Sequence, residues 1–572
     1  MIEKRSGSQI LFGFLPEQTV DLRGSVWKVR EWRNPEPTRA IEQTGLRREL
    51  VRQATPWAAN GRDANYVRNL LSGYDVKVLQ LNMQAGVAVE PYPRVWACKA
   101  CGRVGNRGNA RCACGGRFAQ LPFVGYHEGC GGICEPVMPS CREHQKARIV
   151  SRISARIDEI TFVCPDCQRV LQRGMGFRRC MACGDGNFIF QVHRAASVYT
   201  GRTLVLVNPP GTPQVKRLLD AGGPARALDW VLDGRTEGSF DEVGASRESL
   251  RAQLLSQGLS ATLVDTLVNQ AAASGELGRA GAAPNLGEDE KMRAQNAAVK
   301  IAMGLAQSRV RVQDLLRPLD LGASMAEKYR EDYPAAFAAA GIESIELVDK
   351  FPVFTGAFGY TRGDPTPGRT KLVPFKDRRG DYVVYGDLSE TEALLVTLRP
   401  SAVASWMVRS GYGLKQFDDE RSARIALLDI GPIPDSGDDE RQATAGCALL
   451  TLVHSYAHWF IRRLAVHSGI ERSALCELLV PEHAAFFVYA ANRGDFVLGG
   501  LQALFETEMD LFLRELVTSD LRCPLDPGCA GAKAACMACL HLGEPSCGYF
   551  NRFLRRTTLS GDAGYLAMLA SQ

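Results

Sequence analysis

Cysteine spacing constrains this chain more than any other feature. The run CPLDPGCAGAKAACMACLHLGEPSC, from Cys523 to Cys547, places five of the chain's 18 cysteines within 25 residues. Cys536 and Cys539 stand two residues apart, the spacing at which one tight turn aims two thiolates at one ion. Their neighbours Pro524, Pro527, Gly528, Gly531 and Gly543 make a poor hydrophobic nucleus, so a bound metal would supply folding free energy that burial does not. A loop of incidental free thiols is the competing reading, and chelate-spaced cysteines rarely cluster so densely by accident.

Two further clusters lie upstream. In WACKACGRVGNRGNARCACG, Cys98 and Cys101 are followed by Cys112 and Cys114, a zinc-ribbon pattern whose second knuckle has one intervening residue instead of two. A second ribbon is read in CPDC and CMAC, from Cys164, Cys167, Cys180 and Cys183. Four thiolates would fill the zinc tetrahedron in each and leave no open position for a catalytic water. Between them, Cys130, Cys134, Cys141 and His144 form a possible third site, with His127 as a competing ligand and plain buried cysteines as the alternative. Arginines thread both ribbons: Arg103, Arg107, Arg111 and Arg117, then Arg169, Arg173, Arg178 and Arg179. Of these, Arg103, Arg107, Arg111, Arg178 and Arg179 are the candidates for contacting DNA, because a guanidinium fork suits phosphate; an acidic protein partner would suit it equally.

Composition supports the same direction. Hydrophobic content of 45% and charged content of 23% are ordinary for a globular protein, and no apolar run is long enough to span a bilayer. No membrane association is expected. The N-terminus has no long apolar core before a small-residue cleavage site, so no signal peptide is expected either, and paired CxxC cysteines point to a reducing cytoplasm. The net charge of +5 hides an asymmetry: residues 1–210 carry 30 Lys+Arg against 17 Asp+Glu, the remainder 38 against 46. The basic part is the better candidate for a polyanion.

At 572 residues the chain has room for several domains. The pattern divides into an N-terminal region over 1–95, a zinc-ribbon region over 96–210, a helical insert and linker over 211–290, and a C-terminal domain over 291–572. The expected class is α+β and multidomain. Val20–Trp32 alternates as a strand or hairpin, and 186–210 reads as two strands ended by Pro209 and Pro210. Residues 274–287 read as a flexible linker and 288–307 as a helix. Further on, KLVPF and DYVVYGD read as a strand pair and TEALLVTLRPSAVASWMVRS as helical. The most apolar helix is CALLTLVHSYAHWFIRRLAVHSG, with Leu449, Leu450, Leu452, Trp459, Phe460, Leu464 and Val466 toward the core. His454 and His458 share one face of it. Ser455 stands where a zinc protease of the HExxH type needs glutamate, so buried histidines with hydrogen-bond partners, Glu477 among them, are the favoured reading.

No GxxxxGK[ST] loop is present to cradle ATP phosphates, and no GxSxG elbow, kinase signature or nuclease constellation is recognisable. A resemblance then bears on function. From TEALLV and SAVASW, through LLTLVHSYAHWFI, LCELLV and GDFVLGGLQ, to CPLDPGC, CMACLHLGEPSC and NRFLRR, the C-terminal part resembles the zinc-binding (MZB) domain of MrfA-type helicases, where it is fused to a superfamily 2 motor. The upstream ribbons with HRAASVYTGRTLVLVNPP resemble the stand-alone DrmB family of DISARM antiphage systems, which works beside a separate helicase. The stretch around Cys130 to His144 and the insert 211–290 depart from that pattern.

The resemblance implies a zinc-binding, helicase-associated subunit without its own motor, partnered in trans by a DrmA-like superfamily 2 helicase and touching DNA through the phosphate backbone. It carries the ligand role onto Cys523, Cys529, Cys536, Cys539 and Cys547. Zinc takes four, leaving one spare, with Cys536, Cys539 and Cys547 the firmest. The alternatives are a metal-dependent nuclease or hydrolase built on His454, His458 and Glu477, and a scaffold that binds protein only.

Overall fold

The computed structural model describes residues 1–572 except 5–6, 42, 59–63, 83, 106–110, 151–156, 208–249, 274–308, 319–320, 365–369, 437, 492–498, 520, 532, 544–545 and 572. Arg107, most of the insert 211–290, the linker 274–287 and the helix expected over 288–307 lie outside the described residues. The fold is mixed α+β and divides into two units, one of Met1–Leu206 with Phe354–Leu388, the other of Val207–Val353 with Ser389–Gln572. Residues 354–388, grouped from the sequence with the C-terminal domain, therefore belong to the first unit. Among the described residues no helix is long and apolar enough to cross a membrane.

In the first unit, Val20–Trp32 forms the expected hairpin as Thr19–Leu22 and Ser25–Trp32. Ser25–Trp32 also pairs with Val87–Pro91, which closes on Ile2–Glu3. Val29 and Trp32 both enter the core beneath this sheet, because the register shift between Val29 and Glu31 brings two positions of opposite parity onto one side. The helices Gln43–Ala58 and Ala64–Leu71 bury Leu46, Leu50, Ala54, Tyr66 and Leu70 against Phe354, Phe358 and Val384. Between this core and the strand Thr200–Val207 the chain makes three short three-stranded sheets, joined by turns that carry the upstream cysteines.

The second unit is organised by the helix Ala445–His467. Thr444 caps it, its side chain accepting from the N–H of Cys447. The helix is buried almost all round: Tyr456 and Phe460 meet Phe486 on one side, and Phe460 meets Phe512 on another. Beneath it, Ala393–Thr397 pairs antiparallel with Ala485–Tyr489, which pairs with Leu475–Val480. Val466, expected in the core, is 71% exposed on the helix's last turn.

One element type differs from expectation. TEALLVTL is the end of the strand Val383–Leu398, and helix begins only at Pro400. Every residue from Thr391 to Leu398 is buried, the polar Thr391, Glu392 and Thr397 included, so no alternation marks the strand, and such a run cannot be told from a buried helix by periodicity. Pro400 sits in the first turn of the new helix, where its missing N–H costs nothing.

Candidate metal centres

Fifteen of the 18 cysteines fall into five groups, each of four side chains whose donor atoms all lie within 4.8 Å of one another. The groups are Cys98/Cys101/Cys112/Cys114, His127/Cys130/Cys180/Cys183, Cys141/His144/Cys164/Cys167, Cys523/Cys529/Cys536/Cys539 and His454/His458/Glu477/Cys547. All 18 cysteines are free thiols. A tetrahedron with Zn–S bonds of about 2.3 Å sets its sulfurs about 3.8 Å apart, and that distance provides the test of fit.

The first group is the ribbon expected from spacing. Trp96–Cys98 pairs with Val104–Gly105 and with Phe118–Gln120, so both knuckles hang from one small sheet. In the first turn the N–H of Gly102 donates to the Cys98 carbonyl, and in the second the N–H of Gly115 donates to that of Cys112. Sulfur separations are 3.5 Å for Cys98–Cys114 and 3.6 Å for Cys101–Cys112. Gly116 is required here, because a Cβ would stand 2.6 Å from the Cys98 sulfur. Burial pushes the Cys98 thiol up, but the N–H groups of Cys101 and Ala100 outweigh it and bring it to about 7.

The next two groups are nested, and this regroups the sequence assignment. Strand register decides it. Phe123–Tyr126 pairs with Ile189–Val192, Tyr126 opposite Ile189, which brings the His127–Cys130 turn to the Cys180–Cys183 turn. Inside that loop, Arg148–Ile149 pairs with Thr161–Val163, bringing the Cys141–His144 turn to the Cys164–Cys167 turn. Cys164/Cys167 and Cys180/Cys183 thus serve different groups, and Cys130 and Cys141 are separated likewise. Cys134 joins neither; it is buried among Phe123, Phe188 and Phe190, and burial raises its thiol to about 11.

Each nested group combines one CxxC turn with one turn in which histidine replaces a cysteine. His127 Nδ1 lies 3.1 Å from Cys130 and 3.5 Å from Cys183, with Cys130–Cys180 at 3.5 Å. His144 Nδ1 lies 3.5 Å from Cys141 and 3.6 Å from Cys164, with Cys141–Cys167 at 3.9 Å. The Cys141 thiol is brought down to about 6, chiefly by the backbone N–H and side chain of His144. Gly186 has no room for a Cβ, which would meet His127 Nε2 at 2.8 Å.

In the second unit, Cys523–Cys536 are 3.5 Å apart, and Cys529–Cys539 and Cys536–Cys539 are each 3.7 Å apart. Arg556 braces this turn from behind, donating to both Asp526 oxygens at 2.8 Å and to the Leu521 carbonyl at 2.9 Å. Cys547, expected among the firmest ligands of this group, is instead the spare: it lies in the fifth group, 3.3 Å from His454 Nε2. His454 and His458, expected as hydrogen-bonded buried histidines, converge on Glu477: His454 Nε2 and His458 Nε2 stand 3.0 and 3.4 Å from its Oε1. Burial opposes a charged Glu477, but the two imidazoles outweigh it and hold the carboxyl well below the usual range. His454, His458 and Glu477 are named together from the sequence; Cys547, assigned there to the cysteine-rich run, joins them only through tertiary structure.

The candidate DNA-contacting arginines differ in their engagements. Arg178 donates to the Glu135 carbonyl at 2.9 Å, and Arg179 grips the Gly184 carbonyl through two nitrogens at 3.1 and 2.8 Å. Both brace the turn that carries Cys180 and Cys183. Arg103 is half-buried, whereas Arg111, Arg117 and Arg173 are exposed. Flanking Arg178 and Arg179 in the chain, Phe177 is 95% and Met181 82% exposed, apolar side chains standing in solvent.

Residues 6–199 match a family model described as a domain of unknown function, DUF8724. That span contains all three upstream groups and stops short of the two in the second unit. No curated protein matches the chain.

Proposed function

We propose that this chain is a non-catalytic, multi-zinc subunit of a bacterial antiphage defence complex, associating with a superfamily 2 helicase encoded by another gene and helping to engage DNA. One observation carries the reading. The segments that resemble the helicase-associated module assemble into a single core: Trp406, Leu449, Phe460, Leu475, Leu501, Cys523, Cys539 and Phe553 all belong to one buried cluster. A module built this way, in a sequence with no phosphate-cradling loop, suits docking on a motor supplied in trans.

Zinc is the ion that the four cysteine-rich groups fit. Thiolate with imidazole or all-thiolate donors at tetrahedral spacing select it over hard cations. Each group is closed by four protein ligands, so the metals would act structurally, as folding energy for loop-rich fingers. The cytoplasm is the compartment in which these thiols stay reduced.

DNA engagement is assigned to the upstream fingers. Exposed Arg111, Arg117 and Arg173 suit phosphate contact, and Phe177 offers a ring on which an unstacked base can lie. Arg178 and Arg179 hold carbonyls of the finger itself, so they support its shape before they support contact.

The test is co-expression with a DrmA-like superfamily 2 helicase, followed by affinity purification and DNA titration at several salt concentrations. Retention of the helicase and low-salt DNA binding are expected. Arg111→Glu with Arg173→Glu should weaken binding and lower the salt slope by roughly one for each phosphate no longer neutralised, with zinc content unchanged. A chain that neither retains the motor nor binds DNA at low salt defeats the proposal.

A further inference from the structure

The group His454, His458, Glu477 and Cys547 differs from the other four in having no knuckle. Its ligands come from a helix, a strand and the tail, and all are buried: the histidines are fully inaccessible, Glu477 is 6% and Cys547 5% exposed. Proton bookkeeping shows what such a cluster requires. His458 Nδ1–H donates to the Leu540 carbonyl at 2.8 Å, which turns the lone pair of a neutral ring's Nε2 inward. That lone pair faces His454 Nε2 at 3.0 Å and the Glu477 oxygen at 3.4 Å.

A single hydrogen on His454 Nε2 can satisfy only one of its three neighbours: His458, Glu477 or Cys547. The remaining lone pairs would face one another in a dry interior, where unpaired polar groups cost most. Cys547 adds a further sign. Its sulfur accepts the N–H groups of Tyr549 at 3.3 Å and Asn551 at 3.2 Å, outer hydrogen bonds that fix its direction toward the cluster. Glu477 Oε2 is buried with no hydrogen-bond partner. One divalent ion would balance the carboxylate and thiolate charges and turn the converging lone pairs into bonds.

We propose that His454, His458, Glu477 and Cys547 form a fifth metal site, a closed tetrahedral one for a borderline divalent ion of the zinc class. Zn–N and Zn–O bonds of about 2.0–2.1 Å place the nitrogens and oxygen about 3.3 Å apart in a tetrahedron, and the separations of 3.0 to 3.4 Å match that size. The Leu540 carbonyl is the outer partner that orients His458, the usual arrangement for a ligating imidazole. Borderline nitrogen and sulfur donors favour zinc, cobalt or nickel over magnesium or calcium. The ion ties the helix Ala445–His467 to the strand Leu475–Val480 and to Cys547.

Native mass spectrometry of the zinc-loaded full chain should count five ions. Zinc absorption-edge spectroscopy gives an independent reading from donor type. Five sites supply fifteen thiolates and five nitrogen or oxygen donors, a ratio of three to one; the four cysteine-rich groups alone supply fourteen and two, a ratio of seven to one. Glu477→Gln is the variant to compare, being isosteric and retaining an acceptor oxygen. It should cost one ion, or release one at least tenfold faster to a chelator, while the other four remain. A wild-type count of four with the seven-to-one ratio overturns the proposal and makes a protonated His458 the cation of this cluster; so does a Glu477→Gln chain that keeps five ions with unchanged release.

Discussion

Nested metal groups make a prediction that a consecutive-ribbon arrangement does not. Take Cys183→Ser as the reference. It removes a ligand from the group of His127, Cys130 and Cys180, and the chain should lose one zinc. Adding His127→Ala strikes the same group, so the double variant should still lack only one. Adding Cys167→Ser instead strikes the inner group, and two should be gone. If Cys164, Cys167, Cys180 and Cys183 shared one ion, the outcomes would be exchanged. The energetic effect is large: a structural zinc is worth about 10–16 kcal/mol in small finger peptides, against roughly 5–15 kcal/mol for the whole stability of an ordinary domain. The core under these fingers is small, with Phe123, Ile160, Phe162, Met175, Phe188 and Phe190 as its large apolar members. Loss of either ion should therefore unfold its finger locally, and new protease cleavage sites within 123–192 should accompany each missing mass. Native mass spectrometry reads the count directly, and proteolysis mapping places it. The reasoning fails if Cys167→Ser with Cys183→Ser loses one zinc, or if His127→Ala with Cys183→Ser loses two.

Two other predictions concern the first unit. Arg362 is fully buried and donates to the carbonyls of Gly131 at 2.8 Å, Val198 at 2.6 Å and Glu17 at 2.9 Å, against the stacked rings of Tyr199 and Tyr360. Arg362→Met leaves those three acceptors short of donors, at least about 1 kcal/mol each; a melting temperature lower by at least roughly 6–12 °C is expected, with faster zinc loss beginning at the adjoining His127–Cys130 turn, and an unchanged melting curve would refute it. Burial lowers the affinity of His193 for protons despite Asp21 at 3.3 Å. A depressed folded value means its contribution is present above the unfolded value of about 6.5 and is lost as pH falls through the folded one; the melting-temperature gap between wild type and His193→Gln should therefore narrow with acidification over that window, and a gap that widens would contradict it.

What the sequence disclosed follows from the range over which each signal acts. The Cys98–Cys114 ribbon was legible because both knuckles lie on one short sheet; the Cys523–Cys539 group was legible in part, since its turn-rich run also holds Cys547, which the resemblance ranks with the firmest ligands and the fold sends to His454. The nested pair was not. Each turn is a local feature, but which turn meets which is set by the pairing of Phe123–Tyr126 with Ile189–Val192, across more than sixty residues. His127 and His144 hold positions in their turns that cysteines hold in the others, and a search for paired cysteines undervalues them. TEALLVTL reads as helix because burial on both faces erases the alternation that marks a strand. Arg178 and Arg179 look like surface cations in sequence; only the folded chain shows the carbonyls that hold them.

The cysteine-rich tail does more than staple its own loops. Cys536 and Cys539 are held in one group and Cys547 in another, so two sites grip the ends of a single short segment. Between them the segment is pinned to the helix Ala445–His467: His458 donates to the Leu540 carbonyl, and Arg462 donates to those of Ala538 and His541 at 2.9 and 3.0 Å. A knuckle site can form once its own hairpins meet, whereas the His454 group has ligands from three elements and can form only when helix, strand and tail are all in place. Occupancy there would report tertiary assembly of the whole C-terminal module. If that module is the surface that docks a motor, metal supply would set how much of the protein is competent to dock, without any change in the docking residues themselves.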